Sequence, residues 1–414
     1  MKNLFKSTWA ICAVASVAML ASCSADDGEE GNVVKFTASG SVDATEVLEA
    51  YAEDVVITRY ENLAEKAGAL YTAAQAITPG SASESTQISA AADAWVKTRL
   101  AWERTEAYLF GPVDLYKIDP GIDSWPLALA DLAEFITSYT EYQIQNDNGE
   151  KKGFHTIEFL LFEDGSAKSA LTDFNSSEIS SSYNFGSLSG DEIKSFLVAI
   201  TKELYYNTIL LVAEWDSIEN ATIATDAELL GVKTNNGGGY YDDFTTAGDE
   251  ESSYSSLSDA LSVILESAAG IADEVGAVKI NDPYVSKNVL DVESWFSWNS
   301  VYDFTDNIIG IKEAYYGKLF DGTSTEYSSS SISTAASASI SAYVASGSTS
   351  LDTAVKTAIE NAITKVSALP YPFRNYLNDV SEAATIEAAM EACEELLAAL
   401  ETAQMAVNDG YYIE

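Results

Sequence analysis

The sequence predicts an all-α fold of two helical-bundle domains, and three observations predict it. Apolar residues recur at three- and four-residue steps through most of the chain. Alternating, strand-like runs are few. Helix-stopping residues punctuate the pattern at Pro79-Gly80, Gly111-Pro112, Gly347 and the pair Pro370 and Pro372. At 414 residues the chain is long enough for two domains of ordinary size.

Lys2 and Lys6 stand ahead of an apolar or small run from Trp9 to Leu20. That run is too short to span a bilayer comfortably, and residues 1–22 read as a secretory signal peptide. Its end, Leu20-Ala21-Ser22-Cys23, resembles the lipobox of bacterial lipoproteins. The resemblance implies cleavage before Cys23 and acylation of that cysteine, which anchors the protein to a membrane. Residues 23–35 are then an acidic tether carrying Asp26, Asp27, Glu29 and Glu30. Such a tether is similar to the signal that sends some lipoproteins to the outer face of the outer membrane. The expected location is the outer membrane, at the cell surface or on the periplasmic face.

Helical spacing predicts helices near residues 43–76, 85–110, 127–146, 153–163, 190–217, 255–275, 285–318, 330–345, 350–367 and 380–408. In the second of these, Trp95, Trp102 and Leu109 superpose in one stripe that must face a core, and Arg99 and Glu106 fall close to its centre. Glu103 lies about 100° away and is expected in solvent. Asp123-Ser124-Trp125-Pro126 turns the chain into the next helix, with a capping residue and an aromatic anchor. Periodicity lapses between residues 218 and 254, which sets the expected domains at 36–225 and 226–414. Ile332, Ala336, Ile340 and Tyr343 recur at helical steps within a serine-rich stretch, so a small-residue helix is predicted there. Cys393 sits among alanines and leucines as a buried structural thiol.

The formal net charge is -42, and loss of Lys2 and Lys6 with residues 1–22 takes it to -44. Such a surface repels nucleic acid and favours cations. Once Cys12 leaves with the signal and Cys23 carries lipid, Cys393 stands alone, so neither an intrachain disulfide nor a thiolate zinc cluster is available. The chain contains no Walker loop, no G-x-S-x-G elbow and no H-E-x-x-H site.

His155 is the single histidine, and Glu158 follows at i+3. On a helix the two share a face, so an imidazole and a carboxylate could reach one metal ion. A third ligand would have to be a carboxylate, and one imidazole with several oxygens suits ferric iron at least as well as zinc. The plain structural alternative is a core histidine hydrogen-bonded to Glu158, or to Arg99 and Glu106, with no metal. If the helix starts at Gly153, its dipole favours a neutral ring.

The segments "AWERTEAYLFGP", "IDSWP", "GFHTIEFLLF" with its G-x-H-x-x-E, "VESWFSWNSVYDFTDNIIGIKEAYYG" and "PYPFR" together resemble the imelysin family of bacterial exported and lipid-anchored proteins. The resemblance implies an all-helical protein of two bundle-like domains, which could derive from one duplicated unit, with the motif near their interface. It also implies a choice of functions, since the family was classified with zinc metallopeptidases while other members are linked to iron uptake. Gly153, His155 and Glu158 are the motif positions; Arg99, Glu106, Asp123 and Trp125 fall in the neighbouring block.

The leading expectation is a binding protein rather than an enzyme, one that captures iron at His155 and Glu158 and works with iron-uptake proteins. The alternatives are a zinc peptidase with the same two ligands and an interaction module without metal. Ser294, Ser297, Thr305 and Lys312 interrupt the apolar face that carries Trp298, Tyr302 and Ile309. At least one of Ser294 and Ser297 is therefore expected to share a polar pocket with His155.

Overall fold

The computed structural model describes residues 32–175, 183–235 and 237–413. The signal peptide, Cys23 and the acidic residues of the tether lie outside the described residues. The fold is all-α, with two minimal β-pairs. Strand β1 (Val33–Lys35) runs antiparallel to β4 (Tyr411–Ile413), so residues read as the end of the tether pair with the end of the described chain.

Helix α1 (Ala44–Ala50) passes through a π-helical segment, Tyr51–Ile57, into α2 (Thr58–Ala76), and α3 (Glu84–Glu103) returns against it. Short helices α4 (Pro112–Leu115), α5 (Ile118–Ile122), α6 (Leu129–Ser138) and α7 (Glu141–Asn146) lead to α8 (Gly153–Leu161), whose nine residues are all buried. Strands β2 (Phe162–Glu163) and β3 (Ser166–Ala167) form a small hairpin before α9 (Gly190–Trp215). A capping box at Ser189 and Glu192 starts α9, which packs against α2 and α8.

The stretch read as a junction holds α10 (Ala221–Leu230) and α11 (Tyr240–Thr245). Next, α12 (Leu257–Asp273) continues through a second π-helical segment, Glu274–Ile280, into α13 (Asn281–Ser286). After α14 (Ser300–Tyr316) come α15 (Ile340–Gly347), α16 (Thr349–Val366) and α17 (Ala383–Asp409), with α17 packed on both α12 and α16. Buried apolar residues from Phe36 to Tyr412 form one connected core.

Four predicted helices are shorter than their periodicity suggests or are broken. That over 85–110 ends at Glu103, with only a 3-10 turn at Glu106–Tyr108 after it, and that over 127–146 is interrupted between Ser138 and Glu141, where Thr140 caps a new helix. The helix expected over 285–318 is interrupted, because Ser286 and Asn288 spend their side chains on Asp291 and on local backbone N–H groups, which compete with helical bonds. Residues 292–299 then run as a non-helical loop with Ser294 at φ 50° and Trp298 at φ 64°. The helix expected over 330–345 begins only at Ile340, where the Ser339 hydroxyl caps Ala342 N; Ile332 is buried from a turn instead.

Helix α14 is the element that brings the two halves of the chain together. It touches α3 on one side and α12 and α16 on the other, and Tyr302 alone of its residues escapes burial. Such closeness needs a glycine: a Cβ on Gly310 would sit 2.5 Å from the Arg104 carbonyl oxygen and 2.9 Å from its Cα. Because these are backbone atoms, a side chain can be admitted only by moving a helix. Gly310→Ala is expected to cost about 1–3 kcal/mol, read as a lowered urea midpoint; an unchanged midpoint would show that the crossing is not tight.

Candidate metal centre

At the crossing of α3 and α14, where α14 itself supplies Asp303, five other stretches of chain deliver charged side chains to one buried volume. The end of α3 and the turn after it bring Arg99, Glu103 and Glu106; α5 and its C-terminus bring Asp119 and Asp123. Helix α8 brings His155 and Glu158, the loop 292–299 brings Glu293 and Ser297, and the second π-helical segment brings Lys279.

The position of α8 depends on Gly153. It adopts φ 73°, and a Cβ there would lie 2.1 Å from the Ile122 carbonyl oxygen. Only glycine permits both the left-handed conformation and that approach. The first turn of α8 is thus set directly against the end of α5, one residue from Asp123.

The His155 ring is fully buried, and each nitrogen faces carboxylates. Nδ1 is 3.4 Å from Glu158 Oε2, while Nε2 is 3.1 Å from Asp123 Oδ1 and 3.4 Å from Glu293 Oε1. The Nε2 contacts are close but lack hydrogen-bond geometry. The other oxygen of Glu158 accepts from Ser297 N at 2.8 Å and Ser297 Oγ at 2.7 Å. Trp125 closes the ring edge-on, with centroids 4.8 Å apart. Ligand atoms of Asp123, His155 and Glu293 lie within 4.8 Å of one another, as do those of Glu106, Asp119 and Asp123.

Two cations hold these carboxylates. Arg99 pairs with Asp123, with Glu103 at 2.5 Å, with Glu293 at 2.7 Å and with Asp303 of α14 at 3.4 Å. Lys279 Nζ lies 2.9 Å from Glu106, 3.2 Å from Glu293 and 3.6 Å from Glu103. Asn307 donates to both Glu103 and Glu106, and the Trp102 indole donates to Asp123.

The electrostatics divide the acids. Burial opposes ionisation of Asp123, but Arg99 and then His155 outweigh it and hold the carboxyl well below the usual range. Against the same burial, Lys279 and Arg99 bring Glu293 down to about 2. Burial prevails at Glu103, pushed up to about 8, and at Asp303, pushed up to about 7. It also prevails at Glu106 and Asp119, both well above their ordinary values. The ring of His155 is raised: burial and Arg99 press it down, and the contacts with Asp123, Glu158 and Glu293 overcome both. The neutral ring expected from the helix N-terminus is therefore corrected, since three adjacent carboxylates outweigh a partial helix charge.

Of the residues singled out in the sequence, Arg99, Glu106, Asp123, Trp125, Gly153, His155, Glu158 and Ser297 come together here. Ser294 is also buried, but its hydroxyl faces Asp303. Thr305 bonds back to Val301 O, and Lys312 pairs with Glu360 and Tyr327, away from the site. Glu103, expected in solvent, is fully buried because α14 covers the side of α3 that the helical stripe left open. Glu293, Asp303 and Asn307 were legible only as polar residues inside an apolar block, and nothing in the local pattern marked Lys279 or Asp119.

Behind the loop 292–299 lies a small cavity of about 10 Å³ lined by Phe159, Phe174, Trp295 and Phe296. Lys168 enters it, 3.7 Å from the Phe174 ring centroid, and donates to Phe159 O at 2.8 Å. Burial pushes its amine down to about 7.

A family model described as Imelysin (peptidase M75) matches residues 56–400. Iron-regulated protein A of Synechococcus elongatus is 24% identical over 321 residues, covering 77% of this chain and 76% of that one. A crystal structure from Parabacteroides distasonis, assigned as an iron-regulated protein A precursor, superposes with a TM-score of 0.71 at 26% identity, covering 89% of this chain and 97% of the other. An imelysin-like protein from Psychrobacter arcticum shares the fold at 14% identity, with a TM-score of 0.54 and coverage of 89% and 98%.

Arg99→Met leaves its buried carboxylates without their main counter-charge and is expected to destabilise the protein by about 3–5 kcal/mol. Arg99→Lys should recover little of this, because an ammonium lacks the planar fork. Equal urea midpoints for wild type and Arg99→Met would defeat the prediction. For Lys168 the folded pKa lies below the unfolded one, so the native state holds fewer protons between about pH 7 and 10.5, and stability rises with pH in that window. From pH 7 to pH 9 the wild type should gain about 2 kcal/mol over Lys168→Met; parallel stability curves would exclude the buried amine as the cause.

Proposed function

The chain belongs to the imelysin family, and from that premise we propose that it is a metal-capturing protein whose cargo is iron, acting in iron uptake. The observation that carries this reading is the convergence of His155 Nε2, Asp123 and Glu293 in a buried volume where Nε2 has contacts but no hydrogen bond. Once an entering ion displaces the proton that the neighbouring carboxylates hold on the ring, an imidazole nitrogen beside carboxylate oxygens is a donor set for a hard or borderline ion. The names of the relatives, iron-regulated protein A, support iron as that ion.

Within this reading the ligand set differs in emphasis from the motif alone. Glu158, held by Ser297, orients the ring through Nδ1 and leaves Nε2 for the ion, as carboxylates commonly do for ligating histidines. Asp123 and Glu293 supply oxygens, and Trp125 keeps bulk water off the ring. The same tie to Ser297 argues against Glu158 as the second zinc ligand that the peptidase alternative requires, since both its oxygens are engaged. A lipid anchor at Cys23 would hold the protein at the outer membrane, where it passes iron to uptake proteins.

Titration of the purified mature protein with ferric citrate should show saturable binding, abolished or weakened more than tenfold by His155→Ala. Ser297→Ala, which frees Glu158, should weaken it by about 10–100-fold. Equal binding by the His155 variant and the wild type would remove the centre from the account.

A further inference from the structure

Lys279 belongs to the cluster but not to the proposed ligand set, and its placement is specific. It comes from the second π-helical segment, Glu274–Ile280, where a widened turn redirects side chains from the face that α12 sets up. Its ammonium is buried and meets the Oε2 atoms of Glu103 and Glu106, from the end of α3 and the turn after it, and of Glu293, from the 292–299 loop. Arg99 takes the opposite oxygens, Oε1 of Glu103 and Oε1 of Glu293.

Glu293 is thus a bridge. Its Oε1 faces His155 and Arg99, and its Oε2 faces Lys279. A carboxylate that offers one oxygen to each of two cation positions is the arrangement found between the ions of two-metal centres. The ammonium fills the second position incompletely. It makes a hydrogen bond to Glu106 at 2.9 Å, yet Glu293 Oε2, in a residue 7% exposed, has no hydrogen-bond partner although Nζ is 3.2 Å away. Asn307, whose amide nitrogen donates to Glu103 and Glu106, likewise has a buried Oδ1 without a partner among the described residues.

We propose that Lys279 Nζ occupies the second cation position of a carboxylate-bridged pair, so that the centre accepts a single ion, and that a divalent, oxygen-seeking cation enters this position when the ammonium is removed. The inference rests on the metal-capturing reading of the His155 centre. A built-in monovalent charge holds Glu293 in place without lending a second ion's affinity to the first, which suits a protein that must release its cargo.

The full mature chain, as wild type, Lys279→Met, Lys279→Gln and Lys279→Arg, is loaded separately with ferric citrate and with Mn(II), dialysed, and its metal content measured by plasma mass spectrometry. One ion per chain is expected in the wild type and in Lys279→Arg, and two Mn(II) per chain in the Met or Gln variant, with a spin-coupled Mn(II) signal by electron paramagnetic resonance. Glu106→Gln in the Lys279→Met background should return the count to one. One Mn(II) per chain in both wild type and the neutral variants overturns the inference while leaving the metal reading intact. No ion of either kind in any protein defeats the metal reading itself. Failure of both neutral variants to fold even with Mn(II) present also overturns the inference, since the second ion is expected to replace the lost charge.

Discussion

Everything at the centre of this molecule depends on the guanidinium of Arg99. Fully buried, it contacts acids from four places: Glu103 on its own helix, Asp123 after α5, Glu293 in the 292–299 loop and Asp303 on α14. Stripping water from such charges costs several kcal/mol each, and only a planar fork that meets several carboxylates at once offsets that cost. The consequence is geometric. With Arg99 in place, α3, α5, the loop and α14 have one mutual arrangement, and His155 on α8 is brought to the same carboxylates. A pair of arginines repeats the device one turn further along: Arg59 and Arg104 share Glu313, Arg104 also holds Asp306, and both donate to the Phe320 carbonyl. Together the two networks explain how α14 can be buried almost throughout while bearing so many polar residues.

The loop from 292 to 299 supplies what no helix could. Glu293 and Ser297 must reach the two sides of the His155 and Glu158 pair, and an uninterrupted helix would place them one turn apart on a single face. The observed backbone instead takes Ser294 and Trp298 through positive φ, an unfavourable conformation for side chains of this kind. Its surroundings hold it there. Gly165 donates its N–H to Phe296 O, and a Cβ on Gly165 would lie 2.3 Å from the Trp298 ring. The Arg374 guanidinium lies over the Trp295 ring at 4.3 Å. Local strain offset by tertiary contacts is a common feature of functional sites.

This explains what could and could not be read from the sequence. Helix positions such as 190–217 and 350–367 follow closely from spacing, because each helix buries one apolar face and periodicity reports faces. Arg99 and Glu106 were visible for the complementary reason, since charge on a face that must be buried has to have a partner, whereas His155 and Glu158 stood out as the single histidine with a carboxylate at i+3. Glu103 was misplaced because a one-helix construction assumes one buried side, whereas the end of α3 is enclosed by its own bundle and by α14. Lys279 and Asp119 were invisible because the first depends on a π-helical segment, which shifts the register of faces, and the second on a five-residue helix too short to show periodicity. The continuous helix drawn through 285–318 fails where side chains of Ser286 and Asn288 take over the local backbone bonding, an effect that apolar spacing does not report.

The division among the buried acids gives the centre a direction. Asp123 and Glu293, held low by Arg99, Lys279 and His155, are ionised at neutral pH, and both lie beside His155 Nε2. Glu103, Glu106 and Asp119, for which burial prevails, favour keeping their protons. Negative charge is therefore concentrated on the side with the imidazole, although carboxyl groups are present on both. A cation attracted by the acidic surface meets formal charge where a nitrogen donor also stands. Arg99 touches both ionised groups, yet it also touches Glu103 and Asp303, where burial prevails, so contact with the arginine alone does not set the charge. The difference lies in a further cation: the His155 ring meets both Asp123 and Glu293 and helps hold both down, and Lys279 adds to it beside Glu293.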